Sequence, residues 1–172
     1  NLLHWALLQT KQLYFHKESV HLYSIVQQIE YNYKPLLIDK SITFENLVSK
    51  NIFIFVDLDS LKIVLRNLLD NAIKFSNENG KISFYSSENN PETCQLVIED
   101  TGLGMDEETI KEILKDDELL AKKGKSEVIG TGLGTQLCKQ MIKKNSGTLA
   151  IESEVNKGTK MILSFPKKEL NG

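Results

Sequence analysis

An apolar helical segment near the middle of the chain carries a single polar stripe, and this constrains the fold more than any other feature. Asn67, Asn71 and Lys74 are spaced at i, i+4 and i+7, so they share one side of a helix. Five apolar residues fill the adjacent arc and predict the face that packs into the core: Leu61, Val64, Leu65, Leu68 and Ala72. Polar groups next to a buried face need polar partners, so the stripe predicts a binding site beside this helix.

Two glycine-rich segments follow, at residues 100–105 (DTGLGM) and 130–134 (GTGLG). Asp100 comes directly after an apolar run that predicts a strand, so its carboxylate is expected at a strand end. Gly102 and Gly104 lack a Cβ atom, which lets the backbone approach a ligand or adopt a positive φ. The second segment leads into a helix, whose N-terminal amides can receive phosphate.

The residue types of the stripe suit a nucleotide with its metal. Asparagine amide oxygens are hard neutral ligands of the kind that Mg²⁺ takes together with water and phosphate oxygens. Lys74 can place a positive charge beside those phosphates. Two other matches fail: Gly124-Lys125-Ser126 lacks the first glycine of a P-loop, and Thr135 stands where a dinucleotide fingerprint needs glycine. The motifs together predict a nucleotide site of another kind.

Helical and strand-like patterns divide the chain into helices and paired strands. We expect helices at residues 1–17, 22–37, 106–114 and 132–145, strands at 42–47, 52–56, 81–87, 93–99, 147–154 and 159–165, and a loop at 115–129. Asp57 is expected to cap the helix that carries the asparagines. Helices alternate with strand pairs rather than with single parallel strands, which favours an α/β sandwich with a mixed sheet over a Rossmann fold.

Composition excludes some classes of function. A net charge of -2 over 172 residues argues against nucleic-acid binding as the main function. No run of 18 apolar residues predicts a membrane span. Cys94 and Cys138 fall in a strand-like and a helix-like run, and they are expected as buried thiols of a reducing compartment. The sequence opens at Asn1 within a helical pattern, which suggests a piece of a longer protein.

Residues 67–72, 100–104 and 130–134, with Gly158-Thr159, resemble the N, G1, G2 and G3 boxes of the histidine kinase ATP-binding domain. The resemblance covers about residues 19–166 and implies an α+β Bergerat-type fold, a two-layer α/β sandwich. Its mixed, mostly antiparallel five-stranded sheet would be covered by about three helices. The first residues resemble the end of a dimerisation hairpin helix. Residues 1–18 are therefore expected to belong to that hairpin and residues 19–172 to the catalytic domain.

The resemblance also implies roles for individual residues. Asn71 would hold Mg²⁺, and Asn67 and Lys74 would contact the metal-bound phosphates of ATP; these three are the expected catalytic residues. Asp100 would bond the adenine amino group, with Thr159 nearby and Phe75 beside the base. The remaining expected nucleotide-binding residues are Gly102, Gly104, Met105, Gly130, Thr131, Gly132, Leu133 and Gly134.

By this resemblance the chain is the part of a sensor kinase that holds Mg-ATP for transfer of the γ-phosphoryl to a histidine and then to an aspartate of a response regulator. The intact protein would be a homodimer, and this piece alone would be a monomer. The domain would lie in the cytoplasm, as part of a longer protein in a bacterial inner membrane. His4, His16 and His21 all lack the acid that follows the family's acceptor histidine, so the acceptor is expected outside this sequence. The alternatives are an ATP-hydrolysing conformational machine related to gyrase and a degenerate nucleotide- or partner-binding module.

Overall fold

A computed structural model describes residues 15–88, 90–115 and 133–170, which form seven strands and four helices. In chain order these are β1 (Lys17–His21), α1 (Leu22–Asp39), β2 (Thr43–Leu47), β3 (Phe53–Asp57), α2 (Leu58–Phe75), β4 (Lys81–Ser87), β5 (Thr93–Asp100), α3 (Glu107–Leu114), α4 (Leu133–Lys144), β6 (Thr148–Glu154) and β7 (Gly158–Pro166). None of the described helices is both long enough and apolar enough to cross a membrane.

Five strands form one mixed sheet in the order β2-β4-β5-β7-β6. The pair β2–β4 is parallel, and the pairs β4–β5, β5–β7 and β6–β7 are antiparallel. The expected mixed, mostly antiparallel five-stranded sheet is thus confirmed. Its central strands β5 and β7 pair so that Asp100 lies opposite Thr159, which brings two predicted site residues together at one end of the sheet.

Helices α1, α2 and α4 cover one face of this sheet, and the short α3 lies beside β6. The core between the two layers contains the expected face of α2, with Leu61, Val64 and Leu65 at most 2% exposed. The largest side chains buried against it from α1 and from the sheet are Leu22, Ile29, Ile82, Phe84, Leu96, Ile98 and Leu163. Cys94 and Cys138 are free thiols in this core, as predicted.

A second sheet of two strands corrects the prediction at the start of the chain. The helical pattern was expected to reach about Lys17, but β1 begins at Lys17 and pairs antiparallel with β3, from Lys17 opposite Asp57 to His21 opposite Phe53. The partner strand lies some forty residues away, so no local periodicity reveals it. Lys17 and Glu18, placed at the end of the hairpin helix, therefore lie in this sheet. The rest of that helix, residues 1–14, lies outside the described residues.

The strands β2 and β3 follow each other around the expected turn at residues 49–51 but do not pair with each other. Strand β2 joins the large sheet at its edge, and β3 joins β1. The turn therefore connects a strand of the large sheet to a strand of the small one. Strand β3 also contacts β7 of the large sheet, and it leads directly into α2.

The start of α2 is fixed by a side-chain cap. Asp57 accepts hydrogen bonds from the backbone N–H of Ser60 at 3.0 Å and from its hydroxyl at 2.7 Å, which confirms the predicted cap. The backbone N–H of Asp57 donates to the side-chain oxygen of Asn145, at 2.7 Å, just after α4. A cap of this kind is worth about 1 kcal/mol. The same aspartate thus ties the beginning of α2 to the end of α4.

Candidate functional site

A cavity of about 120 Å³ opens between the second half of α2 and the adjoining ends of β5 and β7. It brings together six of the residues that the sequence predicted: Asn71, Phe75, Asp100, Gly104, Met105 and Thr159. Five further side chains, all apolar, complete its walls: Leu68, Ala72, Ile98, Leu103 and Met161. The cavity is therefore apolar apart from a few polar groups, which is typical of small-molecule sites.

Asp100 is a half-buried ionisable group in this largely apolar wall. It ends β5, and its Oδ1 accepts a hydrogen bond from the backbone N–H of Gly102 at 2.8 Å. Burial raises the pKa of the Asp100 carboxyl above its usual value, while hydrogen bonds from the backbone of Gly102 and of Thr159 act in the opposite direction. The carboxyl group is thus held in a fixed orientation within an apolar cavity, where it can accept a hydrogen bond from a ligand.

The turn that follows Asp100 is tied to elements on both sides of the cavity. The backbone N–H of Leu103 donates to the carbonyl of Phe75 at the end of α2, at 3.1 Å. The N–H of Met105 donates to the hydroxyl of Ser153 in β6 at 2.8 Å, and the carbonyl of Leu103 accepts from the N–H of Asn156 at 2.6 Å. These bonds fix the turn without any ligand. This side of the cavity is therefore held in place by hydrogen bonds within the protein.

Glycines of this region are required by protein contacts. Gly104 has a φ of 70°, and a Cβ atom there would overlap the carbonyl of Glu154. Gly158 has a φ of 102°, and a Cβ atom would overlap the carbonyl of Asp100. At Gly102 a Cβ atom would lie 2.5 Å from the carbonyl oxygen of Phe75. The sequence suggested close approach to a ligand or a positive φ, and the structure shows that the backbone of neighbouring elements already fills this space.

Ser153 is a site residue that the sequence interpretation missed. Its hydroxyl lies 2.7 Å from the hydroxyl of Thr159, donates to the carbonyl of Gly158 at 2.9 Å and accepts from Met105. It lies directly opposite Thr159 in the β6–β7 register. The contact between the two hydroxyls could have been predicted from the β6–β7 pairing, because residues opposite each other on adjacent strands share one face of the sheet.

The three residues of the polar stripe on α2 have different surroundings in the structure. Asn71 is half-buried on the cavity wall, and Lys74 is exposed with its Nζ 5.3 Å from the centre of the Phe75 ring. Asn67 does not line the cavity; its amide nitrogen donates to the carbonyl of Ile63 at 3.2 Å and its side chain also contacts Cys138 in α4. Burial raises the pKa of the Cys138 thiol to about 12, and the hydrogen bond from Asn67 acts against that shift.

Three of the five residues of the second glycine-rich segment, Gly130, Thr131 and Gly132, lie outside the part of the chain that the structure describes. Residues 116–129, most of the predicted loop, also lie outside it. Leu133 and Gly134 form the first turn of α4, with the backbone described and the side chains not. Their expected contacts with phosphate remain predictions.

The chemistry of the residues around the cavity fits a nucleotide with a magnesium ion. Within residues 15–88, 90–115 and 133–170, no group of three or more His, Cys, Asp or Glu side chains could hold a metal by itself. A metal beside Asn71 would therefore take most of its ligands from phosphate and water, which is the coordination that Mg²⁺ accepts. The apolar walls and the Asp100 carboxyl suit a flat heterocyclic base with an amino group.

The fold and this cavity define a nucleotide-binding α/β sandwich, and comparison with known proteins specifies the family. The profile of the family described as "Histidine kinase-, DNA gyrase B-, and HSP90-like ATPase" matches residues 56–169. The chain belongs to this family.

Relatives and solved structures agree with this assignment. The sensor protein SrrB of Staphylococcus aureus (strain MRSA252) is 29% identical over 98% of this chain, which spans 29% of the length of SrrB. The nucleotide-free catalytic domain of the histidine kinase ThkA superposes with a TM-score of 0.75 at 24% identity, covering 88% of this chain and 96% of that one. Full-length ShkA in complex with AMPPNP gives a TM-score of 0.79 at 21% identity, covering 98% of this chain and 35% of that one. At these identities the two structures show the fold alone.

Proposed function

We propose that this chain is the catalytic ATP-binding part of a sensor histidine kinase, which positions Mg-ATP for transfer of its γ-phosphoryl group to a histidine. The observation that carries the proposal is the cavity itself. It is lined by Asp100, Phe75 and Asn71 together. The similarity to sensor protein SrrB and to the histidine kinase ThkA supports a kinase rather than another member of the family.

One end of the cavity would hold the adenine base. The Asp100 carboxyl would accept a hydrogen bond from the exocyclic amino group, and Thr159 lies opposite it in the sheet. Phe75 and Met105 would pack on the base, since both are half-buried side chains of the cavity wall. The expected specificity is for adenine, because a base with a carbonyl at that position would leave the buried carboxylate unpaired.

The other end would hold the phosphates. We assign Asn71 as the protein ligand of Mg²⁺ and Lys74 as the residue that contacts phosphate beside it; the metal, when bound, would neutralise charge on the phosphates. We also assign Asn67 to contact with the phosphates once nucleotide is bound. Gly130, Gly132 and Gly134 are assigned to let their segment close over the phosphates. In the transfer, the γ-phosphorus forms a bond to the acceptor's ring nitrogen, its bond to the bridging oxygen breaks, and ADP leaves. Positioning and charge stabilisation account for most of the catalysis in such reactions.

The gyrase-like alternative requires a carboxylate that activates water, one helical turn before the metal-binding asparagine. That position is Asn67, an amide without useful basicity. The lack of a carboxylate at this position favours phosphoryl transfer to another group over hydrolysis.

The proposed partners are a histidine-bearing dimerisation hairpin, of the same or a partner chain, and the receiver domain of a response regulator. A structure of ThkA with the response regulator TrrA, at a TM-score of 0.72 and 20% identity, shows that a protein of this fold forms such a complex. We further propose that the residues before β1 belong to the hairpin. This piece alone would be monomeric, whereas the whole kinase would be a homodimer. The domain would lie in the cytoplasm of a bacterium, with the intact sensor anchored in the inner membrane.

The acceptor histidine is proposed to lie in that hairpin and not among the described histidines of this chain. Both ring nitrogens of His21 are engaged, Nδ1 with the Ser24 hydroxyl at 2.5 Å and Nε2 with the Lys50 carbonyl at 2.7 Å. His16 lies just before β1, with its backbone N–H bonded to Asp57 at 3.0 Å. His4 lies outside the described residues.

The proposal is tested by incubating the chain with ATP labelled at the γ-phosphate, alone and with the histidine-bearing hairpin of a similar sensor kinase. We expect an acid-labile label on the hairpin and none on this chain, and Asn71→Ala should abolish the transfer. Release of inorganic phosphate without any label on the hairpin would favour the ATPase alternative. Label on His4, His16 or His21 would show that the acceptor assignment is wrong.

A further inference from the structure

We propose that Lys40 is a positioning residue for the base-binding end of the site. It follows α1, outside every motif that the sequence analysis singled out. Its Nζ donates to the carbonyls of Ile73 at 2.7 Å, Lys74 at 3.2 Å and Ser76 at 2.8 Å. An ammonium group has three N–H donors, so these three bonds use all of them. This inference rests on the proposed function, because it concerns the orientation of residues assigned to nucleotide binding.

The end of α2 lacks the usual glycine cap, which explains why it needs an external partner. The last carbonyls of a helix have no partner within the helix. Here the C-cap residue is Ser76, with extended backbone angles (φ -81°, ψ 151°), rather than a left-handed glycine. Its hydroxyl donates to the carbonyl of Ala72 at 2.5 Å, and the carbonyl of Phe75 accepts from Leu103 at 3.1 Å. Lys40 supplies a bond to the carbonyl of Lys74 and a second bond to that of Ile73, which also accepts from the backbone N–H of Ser76 at 3.3 Å.

Charge adds to this arrangement. The carbonyl end of a helix carries a partial negative charge, and a lysine ammonium close to it is stabilising. Hydrogen bonds with an ionised donor are also stronger than neutral ones. The Lys40 ammonium is therefore held at the end of α2 by both effects.

The backbone of Lys40 is fixed as well, so its side chain links two structural units. Its N–H donates to the carbonyl of Leu36 at the end of α1, and its carbonyl accepts from the N–H of Asn79 at 3.2 Å. Lys40 is anchored to α1 on one side and to the loop after α2 on the other. Lys40 therefore fixes the position of the end of α2 relative to the rest of the domain.

The consequence concerns Phe75 and the turn that follows Asp100. Phe75 lines the cavity, and its carbonyl is the acceptor for Leu103, which also lines the cavity. If the end of α2 loosens, the Phe75 ring and the turn move relative to Asp100. Loss of Lys40 should therefore weaken binding of the base more than binding of the phosphates. The proposed metal ligand Asn71 lies a full turn before Phe75, and Lys74, although it lies in the loosened turn, would reach phosphate through a long, exposed side chain.

The test compares Lys40→Met, Lys40→Arg and a control, Lys34→Met, which removes an exposed lysine of α1. Affinities for ADP and for inorganic triphosphate are measured by calorimetry at a temperature where circular dichroism shows each variant folded. We expect K40M to weaken ADP binding about tenfold, as for loss of a hydrogen bond from a charged donor, with triphosphate binding changed less than about twofold. K40R, whose planar donors cannot meet three carbonyls in the same way, should be intermediate. K34M should bind both ligands like the unsubstituted chain.

Hydrogen exchange of residues 100–105 gives a second readout. K40M should speed exchange there relative to K34M, because the Leu103 amide loses a fixed acceptor. Equal losses for ADP and triphosphate, or unchanged ADP affinity in K40M, would overturn the positioning role. Absence of ADP binding by the unsubstituted chain would instead overturn the proposed function, and the exchange comparison would still decide whether Lys40 holds the end of α2.

Discussion

The two ends of the cavity differ in how far the protein alone completes them. At the proposed base end, the turn after Asp100 is bonded to the Asp100 carboxyl at 2.8 Å and to the end of α2 at 3.1 Å. It is also bonded to Ser153 at 2.8 Å and to Asn156 at 2.6 Å. At the phosphate end, Asn71 and Lys74 have no hydrogen-bond partner for their side chains among the described residues. The comparison indicates that the proposed base end is preorganised, whereas the proposed phosphate end would be completed by metal and phosphate. Preorganisation lowers the ordering cost of binding, so the base end should supply affinity even without metal.

Gly104→Ala should have the largest effect, because it breaks the preorganised end directly. The alanine would be forced to a φ of 70° and its Cβ into the carbonyl of Glu154. We expect the free energy of unfolding to fall by about 3 kcal/mol or more, as for strained backbone with a steric clash, and ADP binding to be lost. Urea unfolding measures the change, with the exposed neighbour Val155→Ala as control. A G104A protein as stable as V155A would show that the turn is not rigid.

Asn71→Ala should have the next largest effect, at the phosphate end. Removing the proposed metal ligand should cost about 10–100-fold in Mg-ATP affinity, the range seen when support for a metal site is lost. Binding of ATP in EDTA should change little, because no metal is then involved. Asn32→Ala, at an exposed asparagine of α1, is the matched control. Mg-ATP affinity equal to that of the control would reject the metal assignment.

Asp100→Asn should discriminate between the two ends. The amide keeps the shape of the side chain but weakens the acceptor for an amino group, so adenine nucleotides should bind about tenfold more weakly, as expected when a charge-assisted hydrogen bond is lost. Inorganic triphosphate should bind almost as before, because it occupies only the phosphate end. Glu99→Gln, the next residue back in β5, is the control. Equal losses for nucleotide and triphosphate would mean that Asp100 does not contact the base.

A smaller effect is expected from pH. Burial raises the pKa of Asp100 in the folded protein, so the folded state binds a proton more readily than the unfolded chain. Ionising this carboxyl therefore costs stability as pH rises from the unfolded pKa through the folded one. Nucleotide binding should show the opposite trend: ADP affinity, relative to triphosphate, should fall on acidification through a pKa above that of an ordinary aspartate. The trend should be absent in D100N; its persistence there would assign it to another group.

Local patterns were sufficient to predict most elements and half of the site. The spacing of apolar residues along α2 predicted its buried face, and Asp57 predicted its start, because both depend on neighbours within one or two turns. The pairing of β1 with β3 and the role of Lys40 were not readable, because each depends on a partner more than thirty residues away in sequence. Asn67 shows the limit of periodicity: it shares the stripe with Asn71, yet its side chain contacts Cys138 rather than the cavity.

Calorimetric titration of ATP into the chain, with Mg²⁺ and with EDTA, tests the central claim most directly. The account predicts micromolar binding with Mg²⁺, about -8 kcal/mol at a Kd of 1 μM, and weaker but measurable binding in EDTA supplied by the preorganised base end. Absence of binding in both buffers would contradict the assignment of the cavity as a nucleotide site and would favour a degenerate module that docks a partner.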